Sequence, residues 1–402
     1  MRDLSVDARL ENRSKAVCLS IALCFICLQS GSQILEHWTT NLVSSKAGMD
    51  CVLYANGRYV AFGEYSDYGF ILSSEDGKNW TLRSDGISSG ISYSLGLTYA
   101  GGKFFALGGF GVSGVSSDGI SWDAFFFPNY GNASGVAFGA GVYVAVSDGS
   151  ADFGFGSCLA RSLDGKNWTS VGNSTPFGDI VFGSGRFVAI GIYGNPGFVY
   201  RSSNGTNWTQ YPIPGGSQIS FQNNRFIVPY GPGTNLISTD GISWATVETG
   251  VTNLIEKILF SNGILLARAG SYLVTSTDVT NWVQYANPLP GNSFRQANLA
   301  TDGAQIVTTG FTFGPPPYYH GFIYNSEELV GIRMTSSSPP TIAVWGLVGR
   351  VCGIDYSDEI PVAGNTVWHP LTTFRLSANP DVIFDDTAAN SQHRFYRAVL
   401  FP

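Results

Sequence analysis

The sequence predicts an all-β chain in which one small sheet is repeated around a ring, and three observations carry that reading. A Ser-x-Asp-Gly-x-x-Trp stretch recurs: residues 73–80 read SSEDGKNW, 116–122 SSDGISW, 162–168 SLDGKNW, 202–208 SSNGTNW, 238–244 STDGISW and 276–282 STDVTNW. From Trp80, successive tryptophans stand 42, 46, 40, 36 and 38 residues apart, the period of a repeat architecture with about four short strands per unit. A tight turn runs ahead of each copy, at 55–57, 101–102, 139–141, 183–185, 222–224, 261–263 and, a seventh time, 301–303. Asn-Gly and Gly-Gly between apolar alternations are strong hairpin signals, because both central residues can take positive φ. The 50 glycines, 14% aromatic and 13% charged residues make a strand-and-turn composition. Four antiparallel strands per repeat and seven turns give a seven-bladed β-propeller of four-stranded antiparallel blades.

Taken in order, the chain opens with Arg9, Arg13 and Lys15 ahead of an apolar run from Ala16 to Leu28 and the small or polar Gln29-Ser30-Gly31-Ser32. That is the pattern of a secretory signal peptide over 1–32, too short to span a bilayer. A secreted or cell-surface chain with no integral membrane segment after signal removal is expected. Cys18, Cys24 and Cys27 leave with the leader. Cys51, Cys158 and Cys352 remain, an odd number at wide spacing that argues against a disulfide framework and allows at most one bridge. The net charge of −7 and the lack of a basic run disfavour nucleic acid and anionic partners.

Residues 33–334 hold the repeats. Each reads as strand, glycine-rich hairpin, strand, variable loop, strand, Asp-Gly turn and tryptophan strand. The aspartates (Asp76, Asp118, Asp164, Asp240, Asp278) can bond backbone amides two residues on and hold the turn. The indoles (Trp80, Trp122, Trp168, Trp208, Trp244, Trp282) offer a large apolar face to a neighbouring blade. Seven hairpins but six complete tryptophan motifs leave the seventh repeat, ending at 321–328, short of one strand. An unpaired tryptophan strand, Ile34-Leu35-Glu36-His37-Trp38-Thr39-Thr40, stands at the other end. The N-terminal strand near 33–42 is therefore expected to pair beside 321–327, closing the last blade and covering its edge. Beyond Met334 the period ends. Residues 335–340 read as a Ser/Pro linker and 341–402 as a small all-β C-terminal domain.

The S-x-D-G-x-x-W stretches resemble the Asp-box (BNR) repeat of sialidase-like propellers and of the photosystem II assembly-factor type. The tail is similar to a small C-terminal domain of secreted bacterial proteins, notably from Verrucomicrobia-like organisms. That likeness rests on Gly346, Gly349, Ile354-Asp355-Tyr356-Ser357, Trp368-His369-Pro370-Leu371, Phe384-Asp385-Asp386 and Arg394-Phe395-Tyr396-Arg397.

The repeated aspartates and tryptophans, Trp38 included, read as scaffold. Sialidase chemistry would need three arginines converging on a carboxylate. Arg58, Arg186 and Arg225 instead occupy one repeated position after hairpin turns, and fold alone does not fix function. A carboxylate pair for another glycosidase stays open. No metal-ligand spacing is present, and neither a metal nor a cofactor is expected. The non-repeating loops are aromatic: Tyr65, Asp67 and Tyr68; Tyr130; Asp152 and Phe153; Tyr193; Tyr230; Tyr318, Tyr319 and His320. These fall on the ring face opposite the repeated turns, and binding residues concentrate on the loops of rigid scaffolds. Tyrosines with Asn and Asp suit sugars or extended polar chains. The sequence thus points to a secreted, non-enzymatic binding or interaction module whose loop face recognises a glycan or protein. The alternatives are a carbohydrate-active enzyme using the same face and a structural surface protein docked by its tail.

Overall fold

In this computed structural model the described residues are 38–44, 48–65, 68–84, 90–92, 94–128, 131–149, 159–172, 175–192, 197–256, 258–261, 264–288, 299–303, 305–313, 319–326, 330–337, 340–346, 351–358, 366–377, 381–385 and 394–400. The leader expected over 1–32 lies outside them. The chain divides into one unit over His37–Glu327 and another that includes Glu328–Pro402.

The first unit is seven four-stranded antiparallel sheets, a seven-bladed propeller. Blade 1 shows the pattern: Gly48–Ala55, Arg58–Tyr65, Tyr68–Ser74 and Thr81–Ser84, paired in that order. The innermost strands of blades 2 to 7 are Ser94–Ala100, Ala133–Gly139, Phe177–Gly183, Ser220–Gln222, Leu259–Ser261 and Leu299–Thr301. Cores form between blades. Between blades 1 and 2 lie Cys51, Val60, Phe62, Ile71, Leu97, Phe104 and Ala106, all buried. Each box tryptophan packs toward the blade before its own: Trp122 on the blade 1–2 core, Trp168 on 2–3, Trp208 on 3–4 and Trp80 on 7–1. A large flat side chain next to a tight turn covers the gap where two twisted sheets splay apart.

Blade 7 consists of Leu299–Thr301, Ile306–Phe313, Tyr319–Ser326 and, as its outer strand, Trp38–Ser44. Trp38 pairs with Ser326, Thr40 with Tyr324 and Leu42 with Phe322. In blade 6 the indole-bearing Trp282 stands opposite Ser276, so Trp38 takes the repeat's own register from the far end of the chain. The seam to blade 1 is bonded side chain to backbone. Gln305 Nε2 donates to the Asp76 carbonyl at 2.6 Å, Asn325 Nδ2 donates to the Gly77 carbonyl, and the Asp302 amide donates to Tyr59 Oη at 3.0 Å. Burial first, then the nearby Asp302 charge, pushes the Tyr59 phenol far above its ordinary range, so it stays a neutral partner.

The second unit has two three-stranded sheets: Val330–Ser337, Pro340–Gly346 and Asp381–Phe384; and His369–Arg375, Val351–Ser357 and Phe395–Leu400. Ile342, Val344, Cys352, Ile354 and Leu376 are its buried apolar centre. The expected linker 335–340 lies within a hairpin instead: Ser336 pairs with Thr341 and Ser337 with Pro340. The strands Val330–Ser337 and Asp381–Phe384 were not anticipated. Residues that carry the tail's resemblance converge here. Arg394 forks onto Asp358 (Nε–Oδ1 2.7 Å, Nη2–Oδ2 2.9 Å), reaches Asp385 at 3.1 Å and lies 3.9 Å from the centre of the Tyr356 ring. Tyr396 Oη donates to the same Asp385 carboxylate at 2.8 Å. Arg397 pairs with Asp355 and lies over the Trp368 ring.

Two outcomes follow. Deleting residues 38–44 is expected to lower the melting temperature by roughly 5 °C or more; an unchanged value in a thermal scan contradicts closure by that strand. Arg394→Met takes the guanidinium from the fully buried Asp385 carboxylate, and urea unfolding is expected to show the second unit destabilised by about 3 kcal/mol. Unaltered unfolding contradicts the ion-pair network.

Candidate functional site

The repeated turns and the first-to-second-strand hairpins occupy one face of the ring, as antiparallel connectivity requires. In each box the Asp or Asn oxygen is satisfied within its own turn. In blade 1, Ser74 Oγ donates to Asp76 Oδ1 at 2.9 Å, and that oxygen accepts the amides of Lys78 and Asn79 at 2.9 and 2.7 Å. Asn79 Nδ2 holds the second oxygen at 2.7 Å. Asp118, Asp164, Asp240 and Asp278 repeat the geometry, and Asn204 stands in for Asp in blade 4 with the same backbone bonds. Amide donation, foremost from the residue three on, holds Asp76 and Asp164 well below the usual carboxylate range. In Asp278 burial pushes upward, but the bonds from Asn281 and Thr280 outweigh it. The box glycine needs its positive φ, and at Gly205 (φ +73°) an added Cβ would lie 2.6 Å from Val144 of the previous blade. Where the box carries Asn before Trp, the indole N–H donates to the glycine-position carbonyl, as at Trp80 (2.8 Å), Trp168 (3.2 Å), Trp208 (3.3 Å) and Trp282 (3.0 Å). In the two boxes with Ser there, the indole nitrogens of Trp122 and Trp244 are buried with no such bond.

The repeated cations serve the same scaffold. Lys103 Nζ donates to the Asp164 carbonyl at 2.6 Å, and Arg225 reaches the Asp278 carbonyl at 3.5 Å, each binding the next blade's box. Arg58 pairs with Glu75 at 3.0 Å.

Of the residues singled out from sequence, the described ones at strand ends on the loop face are Tyr65, Tyr68, Tyr230, Tyr319 and His320. Tyr68, at the start of a third strand, is 42% exposed, and Tyr230, at the end of a second strand, is 43% exposed. Tyr65 ends the second strand of blade 1; Tyr319 and His320 open the third strand of blade 7. The side chains of these three, and all of Asp67, Tyr130, Asp152, Phe153, Tyr193 and Tyr318, lie outside the described residues, as does Cys158. Cys51 and Cys352 are buried. Among the described residues no group of three or more His, Cys, Asp or Glu is placed to hold a metal, and no helix is long and apolar enough to cross a membrane.

One feature of the ring escaped the sequence reading. The innermost strands of all seven blades enclose an axial channel of about 540 Å³. At its turn-face end stands a collar of six rings, one from each of blades 1 to 6: Tyr54, Tyr99, Phe138, Phe182, Phe221 and Phe260. Each is the residue opposite the first core position of the second strand, for example Tyr54 opposite Tyr59 and Phe182 opposite Phe187, with ring centroids 4.6 and 4.8 Å apart. In blade 7 the register puts Thr301 opposite Ile306, so a threonine holds the seventh place. The rings lean across the preceding blade: a Cβ on Gly139 would sit 2.1 Å from Phe182, and one on Gly183 would sit 2.2 Å from Phe221. The signal was present as an aromatic residue at a fixed step before six of the seven hairpin turns.

No family model matches the chain, and no curated protein matches it. Solved structures do. The chain is similar to YCF48 bound to D1 peptide, with 14% identity over 73% of this chain and 99% of that one and a TM-score of 0.51. It is similar to a catalytically inactive virginiamycin B lyase from Staphylococcus aureus with quinupristin, with 12% identity over 72% and 99% and a TM-score of 0.54. The fold is a β-propeller. The extracellular domain of a hybrid two component system from B. thetaiotaomicron also aligns, with 9% identity over 92% of this chain and 60% of that one and a TM-score of 0.51. At such identities the likeness is one of fold.

The box carboxylates also set an acid limit. Their folded pKa values lie below the value of about 4 of an unfolded aspartate, so their stabilisation is complete above that pH. It is lost as pH falls further, because the unfolded chain takes up the protons first. The melting temperature is expected to drop between about pH 4 and pH 2, and Asp164→Asn, copying the arrangement at Asn204, is expected to flatten the drop. An identical acid profile in the variant contradicts the assignment.

Proposed function

We propose that this chain is a secreted, non-enzymatic binding module built from Asp-box (BNR)-like repeats, whose loop face recognises a glycan or protein. The observation that carries the reading is the contrast between the faces. On the turn face, one polar pattern repeats and its carboxylates are engaged within their own boxes. On the other face, Tyr68 and Tyr230 stand about two-fifths exposed at non-equivalent positions of blades 1 and 5. Discriminating one ligand requires groups that differ around a ring, and exposed phenols offer a stacking face and a hydrogen-bonding tip. Tyr65, Asp67, Tyr130, Asp152, Phe153, Tyr193, Tyr318, Tyr319 and His320 extend the proposed surface. Export rests on the leader pattern over 1–32, and the tail is read as the small β domain of secreted bacterial proteins, available for docking at a cell surface.

Fold does not choose between a binder and an enzyme; the propellers that this chain resembles include one bound to a peptide and a lyase. A glycan array probed with wild type and with Tyr68→Ala/Tyr230→Ala separates the two. Binding without turnover, reduced about tenfold or more in the double variant, is expected. Hydrolysis of any arrayed sugar, or undiminished binding by the variant, contradicts the proposal.

A further inference from the structure

The axial channel offers a second place for a ligand, on the opposite face and independent of the loop-face reading. Its volume of about 540 Å³ falls within the range of small-molecule pockets, which run to roughly 300–1,000 Å³. Two of the collar rings stand open to water, Phe260 at 45% and Phe138 at 38% exposed, while Tyr54, Tyr99, Phe182 and Phe221 are half-buried against the cores between blades. Aromatic surface left wet in a concave space marks a ligand seat more often than a packing leftover. The rings are also held in place, since Phe182 and Phe221 lie against glycines that leave no room for a Cβ. Little ordering then remains to oppose binding.

Charge narrows the ligand. Among the described residues lining the channel, Asp179 is the one carboxylate and no cation is present. Asp179 is 5% exposed and accepts the amides of Ile180 at 2.9 Å and Ile219 at 3.4 Å. An anion would find no counter-charge among those described residues, against a chain whose net charge is already −7. The collar is also incomplete. Thr301 replaces the seventh ring, and its hydroxyl is spent on its own turn, donating to the Gln305 carbonyl at 2.6 Å and accepting the Gly303 amide at 2.9 Å. Thr301 thus interrupts the run of rings, a gap between Phe260 of blade 6 and Tyr54 of blade 1. A collar needed only to plug the channel would be filled evenly.

We propose that the turn-face end of the channel binds a neutral, flat, aromatic small molecule, whose ring system enters the gap at Thr301 and stacks among the six collar rings. The tyrosine hydroxyls of Tyr54 and Tyr99 serve a hydroxyl or carbonyl on its edge.

The test is a fluorescence titration of the full chain with N-phenyl-1-naphthylamine and with its anionic relative 8-anilino-1-naphthalenesulfonate. The neutral probe is expected to saturate at one per chain and the sulfonate to bind at least about tenfold more weakly. Phe260→Ala removes an exposed ring and Thr301→Phe fills the gap; each is expected to weaken the neutral probe about tenfold. Leu82→Ser, on the half-exposed outer strand of blade 1, is expected to change nothing. No saturation in wild type, equal binding of the two probes, or undiminished affinity in both Phe260→Ala and Thr301→Phe overturns the proposal.

Discussion

The structure depends on one backbone ladder, the antiparallel pairing of Trp38–Ser44 with Gly321–Ser326. Six blades draw their four strands from consecutive sequence; the seventh draws its outermost strand from the opposite end of the propeller. Without it, the third strand of blade 7 presents an open row of amides and carbonyls, which is a liability in any sheet. With it, blade 7 becomes a full-width partner for blade 1. Gln305, Asn325 and Asp302 can then bond to Asp76, Gly77 and Tyr59 across the seam. Closing so long a loop costs little more than closing a short one, because loop entropy grows only with the logarithm of length.

Within the ring, stability is passed from neighbour to neighbour. Each box turns its glycine and its indole toward the blade before it, and cations such as Lys103 reach forward to the next box. This is nearest-neighbour energetics, as in linear repeat proteins, with the ends joined. It leaves the three surfaces with different freedoms. The turn face is committed to holding blades together. The loop face, and the axis at Thr301, carry residues that break the repeat.

Much of this was legible because it is local. A turn that needs positive φ writes Gly or Asn into the chain, and a carboxylate that caps it recurs at the same step. The closing strand could be read because Trp38 is a repeat fragment without a repeat. The collar was not legible: Tyr54, Tyr99 and Phe138 look like ordinary strand aromatics until the ring places the inner strands around a common axis. In blade 7 the turn lies one residue later than its sequence spacing implied, which puts Thr301 and not Ala300 at the collar. The Ser/Pro stretch 336–340 resembled a linker because such residues punctuate chains, yet Ser336 and Pro340 belong to paired strands of one hairpin. The loop-face residues lie beyond what periodicity can order, since nothing repeats there.

The most direct measurement is amide hydrogen exchange, read by mass spectrometry on peptides covering 38–44 and 321–326. Closure predicts that both are protected to a similar degree and lose protection together. Exchange of 38–44 at the rate of unstructured chain, while 306–313 stays protected, would contradict it.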